Sequence, residues 1–572
     1  MIIINKILKI IGNDLSKLPF LVFIFMISAS LDFLGLMLIF PIFEIYSASS
    51  DSVNIYNYQL TYIDYFSDKK TFFTYALVLL YIIFAIKAFS GIYINYIIHS
   101  FSNRMIVNIR SKLFFSIQSI EYEKFTNKSS SDYIYAINTL TSLFGGKVVI
   151  NVLKAISDVF ISFALLIALL ITATAEIILL LVLIIISFFV YDKIIRKNMK
   201  KFGKNSNYHS TKIIQVINDS ILGFKEINVL GKNNYFNFKF IDNCKSYSVN
   251  QIKYSVLSSI PRYYFELVII TFIISLFLHQ IFLDKDFNSK LPIITALVFA
   301  SVRILPAITS ITNAVSSLRY NVDTIDRLFD ESQNQSPVSK IVEENNSRII
   351  FKNLTLSNVS FKYKNNLDYT LKSINFSINT GQMVGILGES GSGKSTLLNL
   401  LLGFIKPQMG DCFINESKIS LSSRYWVDQV AYLPQETFIS DSSLLDNIVL
   451  NDISNTNFQL LEKTLHMSKL DGVIDTLPNG INSNLGERGM LLSGGQRQRV
   501  SLARAFYHQK NFLIFDESTS ALDGSTEDKI LNEIKSFKGI KTILLISHNL
   551  RTFRHCDVVY QMHDGMLEKT TF

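Results

Sequence analysis

Eight consecutive residues, Gly388-Glu389-Ser390-Gly391-Ser392-Gly393-Lys394-Ser395, fit the pattern G-x-x-x-x-G-K-[ST]. They lie between an apolar run that reads as a strand, Met383–Leu387, and a helical run that opens with Ser395 and Thr396. Glycines let successive backbone N–H groups close around phosphate oxygens, and a helix N-terminus adds a favourable dipole. Lys394 has the reach and charge for the β- and γ-phosphates of ATP, and the Ser395 hydroxyl suits Mg²⁺. Downstream, the apolar strand Asn511–Phe515 ends in Asp516-Glu517. A carboxylate at a strand end beside a phosphate loop serves the Mg²⁺ side, which assigns Asp516 to the metal. Its neighbour Glu517 is then placed to polarise an attacking water as a general base.

These groups need a sheet to hold them, and the strand-like runs that could build one around them lie in the second part of the chain. Of 572 residues, 49% are hydrophobic and 18% charged, and the mean hydropathy is +0.29. A soluble domain carries about 25% charged residues, so a wholly soluble or disordered chain is excluded. Residues 1–330 hold six apolar stretches: Leu18–Phe43, Phe72–Ile98, Val148–Thr172, Ile177–Ile195, Ser258–Leu278 and Leu291–Val315. Crossing a bilayer takes about 20 helical residues, so this part is read as a six-span membrane domain. Residues 331–347 form a polar linker, and from 348 to 572 strand-like and helical runs alternate as in an α/β domain. The expected fold is therefore an all-α transmembrane domain followed by an α/β P-loop domain.

The net charge of +9 does not point to nucleic acid, because in membrane proteins excess Lys and Arg mark cytoplasmic faces. Lys193, Arg196, Lys197, Lys200, Lys201 and Lys204 follow the fourth stretch, whereas Glu44, Asp51, Asp64 and Asp68 follow the first. Both termini are therefore expected in the cytoplasm. The connections about 103–147 and 192–257 keep helical periodicity and read as membrane helices continuing well beyond the bilayer. Cys244, Cys412 and Cys556 lie far apart and form neither a disulfide framework nor a zinc site.

Leu492-Ser493-Gly494-Gly495-Gln496, followed by Arg497-Gln498-Arg499 and shortly before the Asp516-Glu517 strand, resembles the signature of ATP-binding cassette (ABC) proteins. Tyr363 in FKY, Gln435 in YLPQE, Gly486–Gly489, Ser520-Ala-Leu-Asp523 and His548 resemble further family elements. The resemblance covers the whole chain in the exporter half-transporter arrangement. It implies that Tyr363 stacks on adenine, that Gln435 contacts Mg²⁺ and the attacking water, and that His548 bonds the γ-phosphate. It also implies head-to-tail pairing with a second copy, so that Ser493–Gln496 complete the partner's site, and it places Asp523 among the nucleotide-binding residues. Because every element is intact, a homodimer is expected. Ser547-His-Asn-Leu and Ser518 depart from the commoner family residues at positions without an assigned role. Short cytoplasmic coupling helices are expected near Lys128–Thr139 and Gly223–Leu230.

An ATP-driven exporter or flippase is the favoured class. An ATP-gated regulator or channel is disfavoured by the intact Glu517 and His548, and a soluble repair or translation ATPase by the six spans. Lys87, Arg262 and Arg303 stand inside spans two, five and six, where charge is costly and suspicion falls on function. Helical rise places all three in the inner half of the hydrocarbon core, about 18–26 Å from the outer ends. Glu266 is a possible neutraliser of Arg262, and Asp32 of Arg303. FAIKAFSGIY, SIPRYYFELV, SVRILPAIT and EYEKF resemble bacterial lipid-linked oligosaccharide flippases of the PglK type. That implies an inner-membrane protein moving a lipid-linked substrate, with a hydrophobic peptide, lipid or drug as the alternative cargo. The outer loop Glu44–Lys70 is expected to hold either a short surface helix or a plain connection.

Overall fold

The computed structural model describes residues 2–47, 52–55, 58–61, 69–172, 175–282, 287–333, 351–364, 366–451, 454, 456–517 and 531–570. The chain divides into two compact units. One comprises Met1–Ile120 and Thr126–Ser336; the other comprises Glu121–Phe125 and Pro337–Phe572.

Six long helices build the first unit: Leu18–Ser47, Lys69–Gln118, Ile150–Thr172, Ala175–Leu222, Asn233–Phe282 and Phe287–Tyr320. Each carries one of the six apolar stretches. Among the described residues, Ile2–Gly35, Thr74–Gln118 and Asn233–His279 are long and apolar enough to cross a membrane, and the bent pair Ile178–Lys193 and Asn198–Leu222 makes a fourth. The helix Lys69–Gln118 has 50 residues, about 75 Å at 1.5 Å per residue. That is more than twice the hydrocarbon thickness of about 30 Å, so it extends well beyond a bilayer. Leu21, Phe25, Ile98, Phe101, Met105, Phe144 and Leu328 pack its inner end into one buried cluster.

The third long helix starts differently from the others. Ser129 caps it through a reciprocal box with Asp132, and π-helical stretches follow at Tyr135–Leu140 and Phe144–Val149. Widened turns of this kind loosen the i→i−4 ladder. Arg110 compensates from the neighbouring helix, donating to the carbonyls of Ile137 (3.3 Å) and Asn138 (2.9 Å).

In the connection Glu44–Lys70, expected to hold a surface helix or a plain connection, the described residues between the two long helices form an antiparallel hairpin, β1 (Ser52–Ile55) and β2 (Tyr58–Thr61). Its Val, Ile, Tyr and Thr content suits a pleated surface. A short helix, Tyr122–Thr126, precedes the region Lys128–Thr139 expected to hold the first coupling helix, where Ser130–Ile134 is also helical. Residues 130 onward are committed by the Ser129 cap to the third long helix, whereas Glu121–Phe125 belongs to the second unit. There the Tyr122 ring stacks on Phe404, with centroids 5.2 Å apart. The other short helix, Phe224–Val229, lies between Gly223 and Leu230. The helix Val322–Gln333 runs into the start of the assigned linker; residues 334–350 lie outside the described residues.

In the second unit, β3 (Asn353–Phe361), β4 (Leu371–Asn379), β6 (Met409–Ile414) and β7 (Ser417–Lys418) form an antiparallel sheet. A six-stranded sheet combines β5 (Met383–Gly388), β8 (Val430–Leu433), β9 (Phe512–Asp516), β10 (Thr542–Ser547), β11 (Val558–His563) and β12 (Met566–Thr570). Its order is β12-β11-β5-β10-β9-β8, parallel except for the β11–β12 pair. The central strands are near-continuous apolar runs, as a sheet covered on both faces requires; all six residues of β10 are buried.

Candidate active site

Strand register assembles the chemistry. Leu387 of β5 pairs with Ser547 of β10, and Asp516 of β9 pairs with Ile546. The phosphate loop, the acidic pair and His548 therefore leave one carboxyl edge of the parallel sheet, where open α/β folds bind ligands.

The loop runs from Gly388 to the helix Lys394–Leu401. Gly393 has φ +111°, a conformation that side chains rarely adopt. A Cβ there would also lie 2.8 Å from Met562 Cε, and one at Gly388 would lie 2.7 Å from both the Met562 carbonyl oxygen and Ser392 Oγ. The loop is pinned from behind, because the Gly565 amide donates to the Ser392 carbonyl at 3.0 Å. The buried Lys394 ammonium donates to the carbonyls of Gly388 (2.7 Å) and Glu389 (2.8 Å). Ser392 Oγ is buried without a partner. A loop with a held ammonium and an orphaned hydroxyl fits a polyphosphate. Tyr363 joins it from β3's far end, its hydroxyl 3.5 Å from Thr396 Oγ1.

Asp516 accepts a hydrogen bond from the Tyr432 hydroxyl at 3.0 Å. Burial raises its pKa above the ordinary carboxylate value, the Glu517 charge adds to the rise, and Tyr432 and Lys394 work against it. A partly desolvated carboxylate together with the Ser395 hydroxyl would make an oxygen donor set suited to Mg²⁺. Glu517 has φ +45°, and its amide donates to the Ile546 carbonyl at 2.8 Å. This uncommon conformation accompanies a carboxylate whose Oε1 lies 3.4 Å from His548 Nδ1 and 4.0 Å from Lys394 Nζ. Gln435, two residues beyond β8, is exposed at the same edge.

Ser493 opens the helix Gly494–Tyr507 in a capping box. The Gln496 amide donates to Ser493 Oγ at 3.3 Å, and the Ser493 amide donates to Gln496 Oε1 at 2.8 Å. Amides in the first turn have no acceptor within the helix, so those of Gly494 and Gly495 suit an anion. Among the described residues, no hydrogen bond links Ser493–Gln496 to the chain's own phosphate loop. Asp523 lies outside the described residues.

Three contributors are not apparent from motifs. Tyr432 holds Asp516. Arg504, on the buried face of the Ser493 helix, donates to the Phe438 carbonyl (2.6 Å) and to Asn447 Oδ1 (2.9 Å). Burial brings its pKa down to about 10, and it stays charged at neutral pH. Asn447 is fully buried and also accepts from the Ser440 amide at 3.0 Å. The segment after Gln435 is thereby tied to the Ser493 helix; the only sequence signal was Arg504 on an otherwise apolar helix face.

In the membrane unit, Lys87 forms an ion pair with Asp32 and lies 5.2 Å from the Phe84 ring centroid. Arg262 and Glu266 are both exposed, and no ion pair joins them among the described residues. The backbone at position 303 is helical, and its side chain lies outside the described residues.

A phosphate loop, an acidic strand end and a histidine on one sheet edge define a P-loop nucleotide-hydrolysing domain. Comparison with known proteins agrees. The family model described as "ABC transporter" matches residues 371–520, and "ABC transporter transmembrane region" matches residues 18–313. The chain belongs to the ABC transporter family, with an ABC ATPase domain following the family's membrane region. The exotoxin translocation ATP-binding protein PaxB of Pasteurella aerogenes is 38% identical over 216 residues, 37% of this chain and 30% of that protein. The ATP-dependent lipid A-core flippase of Wigglesworthia glossinidia brevipalpis is 27% identical over 490 residues, 84% of this chain and 82% of the relative. A bacterial Atm1-family ABC exporter solved with ATP bound aligns with TM-score 0.76 at 17% identity, covering 96% of this chain and 95% of that one. The fold is that of an ABC exporter.

Proposed function

We propose that this protein is an ATP-hydrolysing flippase of the bacterial inner membrane. It works as a homodimer with both termini in the cytoplasm and moves a lipid-linked amphiphile, an oligosaccharide carrier, out of the inner leaflet. ATP and Mg²⁺ are held by Tyr363, the loop Gly388–Thr396, Gln435, Asp516 and Asp523. The second copy's Ser493–Gln496 complete each site. Bound Mg²⁺ supplies charge neutralisation on the phosphates. Glu517 takes up a proton from water, His548 holds the Glu517 carboxylate in place, and Lys394 moves from the loop carbonyls to the nucleotide.

The observation that supports a lipid cargo is the extent of similarity. The lipid A-core flippase resembles this chain over 84% of its length, whereas the toxin translocator matches only 37% of it. Arg262, inside a membrane helix, supports an anionic headgroup, since guanidinium forks pair well with phosphate. Proteoliposomes with a fluorescent pyrophosphate-linked polyprenyl glycan test the proposal. ATP-dependent loss of outer-leaflet label by the inside-out population is expected. ATP-driven uptake of a peptide with no lipid movement would replace this reading with the peptide-exporter alternative.

A further inference from the structure

The inner ends of the first two membrane helices enclose a groove of about 270 Å³, lined in part by Lys17, Phe20, Tyr93, Tyr96, Ser100 and Arg104. Its position is set by the sequence around it. Lys17 immediately precedes the first long helix, and Arg104 lies six residues beyond Ile98, where the second apolar stretch ends. Six helical residues rise about 9 Å, which carries Arg104 out of the hydrocarbon and into the headgroup layer. The N-terminal helix Ile2–Ile11 leads to the same level. It buries Ile10 and Ile11 but exposes Ile2, Ile4 and Leu8, as helices lying in a membrane interface do.

The groove carries positive charge that the protein does not neutralise. Lys17 pairs with Asp14 at 2.8 Å. Asp14 also accepts from Asn108 at 2.9 Å and faces Lys112. Two cations, Lys17 and Lys112, thus share one carboxylate, and Arg104 adds a further positive charge to the groove lining. Arg104 is exposed and has no hydrogen-bond or ion-pair partner among the described residues. Beside it, Tyr93 and Tyr96 are 55% and 67% exposed and Phe20 is 59% exposed. An apolar aromatic wall beneath a cationic rim is the pattern of an interfacial belt.

We propose that this groove binds an inner-leaflet anionic phospholipid as a resident ligand. Arg104 and Lys17 hold the headgroup phosphate by charge-assisted hydrogen bonds, and an acyl chain lies along Phe20 and the two tyrosine rings. The site is separate from any transported cargo and does not depend on the flippase reading.

Native mass spectrometry of the purified full-length protein, with dioleoyl phosphatidylglycerol and dioleoyl phosphatidylcholine added in equal amounts, tests it. Phosphatidylglycerol adducts should dominate. Lys17→Gln with Arg104→Gln should weaken phosphatidylglycerol retention at least fivefold and leave phosphatidylcholine adducts unchanged. If the double variant does not purify, the same contrast is read from Arg104→Gln, which should lose the lipid, against Arg104→Lys, which should keep most of it. Undiminished phosphatidylglycerol binding in the glutamine variants overturns the proposal. Displacement of the lipid by millimolar inorganic phosphate makes this a small-anion site and also overturns it. So does disulfide cross-linking of Tyr96→Cys between two copies, which would show that protein covers the groove.

Discussion

Lys87 of the second membrane helix and Asp32 of the first form an ion pair in which the two side chains are only 16% and 4% exposed. The lysine is thus a neutralised charge joining two helices. With its charge matched, it is a poorer candidate than the exposed Arg262 for binding an anionic cargo. Removing one partner of a buried pair leaves the other uncompensated, at a cost of about 3–5 kcal/mol. Asp32→Asn should therefore lower the melting temperature in detergent. Asp32→Asn combined with Lys87→Met should recover most of the loss, since a neutral pair carries no stranded charge. A double variant as unstable as the single one would show that the pair is not what Lys87 contributes.

Glu517→Gln should retain Mg·ATP binding and lose at least 100-fold in steady-state hydrolysis, on the scale of general-base contributions. The Lys394 and Ser395 contacts to phosphate remain in that variant, so it should trap ATP in a closed dimer. The measurement pairs a phosphate-release assay with nucleotide filter binding. Near-normal turnover would remove Glu517 from the base role.

Ser493→Arg tests the composite site. The residue caps the helix Gly494–Tyr507, and its hydroxyl makes no bond to the chain's own phosphate loop among the described residues. The bulky cation should leave nucleotide binding to the isolated face intact and abolish hydrolysis by preventing closure on the second copy. Full hydrolysis by a homogeneous mutant dimer would argue against head-to-tail pairing.

The cysteines give a chemical test of the fold. Burial pushes the Cys412 thiol up to about 11 and the Cys556 thiol up to about 12. Both therefore stay protonated, and slow to alkylate, throughout pH 7–9, because the thiolate is the nucleophile. Maleimide labelling followed by peptide mapping should find Cys244 first in the native protein, the half-buried Cys556 more slowly, and the buried Cys412 only after denaturation. Rapid native labelling of Cys412 that accelerates between pH 7 and 9 would contradict its burial.

Motif-bearing positions were the legible part of this chain. Gly388–Ser395 fixes its own backbone because only glycine tolerates φ +111° at position 393, and apolar β9 and β10 can only be central strands. The apolar stretches were equally plain: each lies on one of six long helices, of which three, or four with the bent pair, are long and apolar enough among the described residues to cross a membrane. What stayed hidden depends on contacts distant in sequence. Tyr432 meets Asp516 across 84 positions, and Arg504 meets Asn447 across 57. The coupling helix expected near Lys128–Thr139 falls on the run that Ser129 caps, because local periodicity does not distinguish that run from Tyr122–Thr126. The hairpin Ser52–Thr61 gave no distinct signal within the expected connection, because eight strand residues set between long helices make too short an alternation.

With Lys87 matched to Asp32, the anion-binding proposal rests on Arg262 and Arg303. Arg262 follows Pro261, which is buried within the helix Asn233–Phe282. Proline removes one backbone hydrogen bond, and the Leu257 carbonyl that it frees accepts instead from the Tyr191 hydroxyl at 2.9 Å. Glu266, one turn on, is the local competitor for the guanidinium, but no ion pair joins the two among the described residues. A pyrophosphate offers two anionic groups, and each arginine fork can bind one of them bidentately. Arg262→Ala with Arg303→Ala should reduce flipping of a pyrophosphate-linked lipid at least tenfold in proteoliposomes. Basal hydrolysis should persist within twofold, because Lys394, Asp516 and Glu517 are untouched. Arg262→Lys should retain part of the activity, since charge is kept while the fork is lost. Wild-type flipping rates in the double alanine variant would show that neither arginine holds the headgroup.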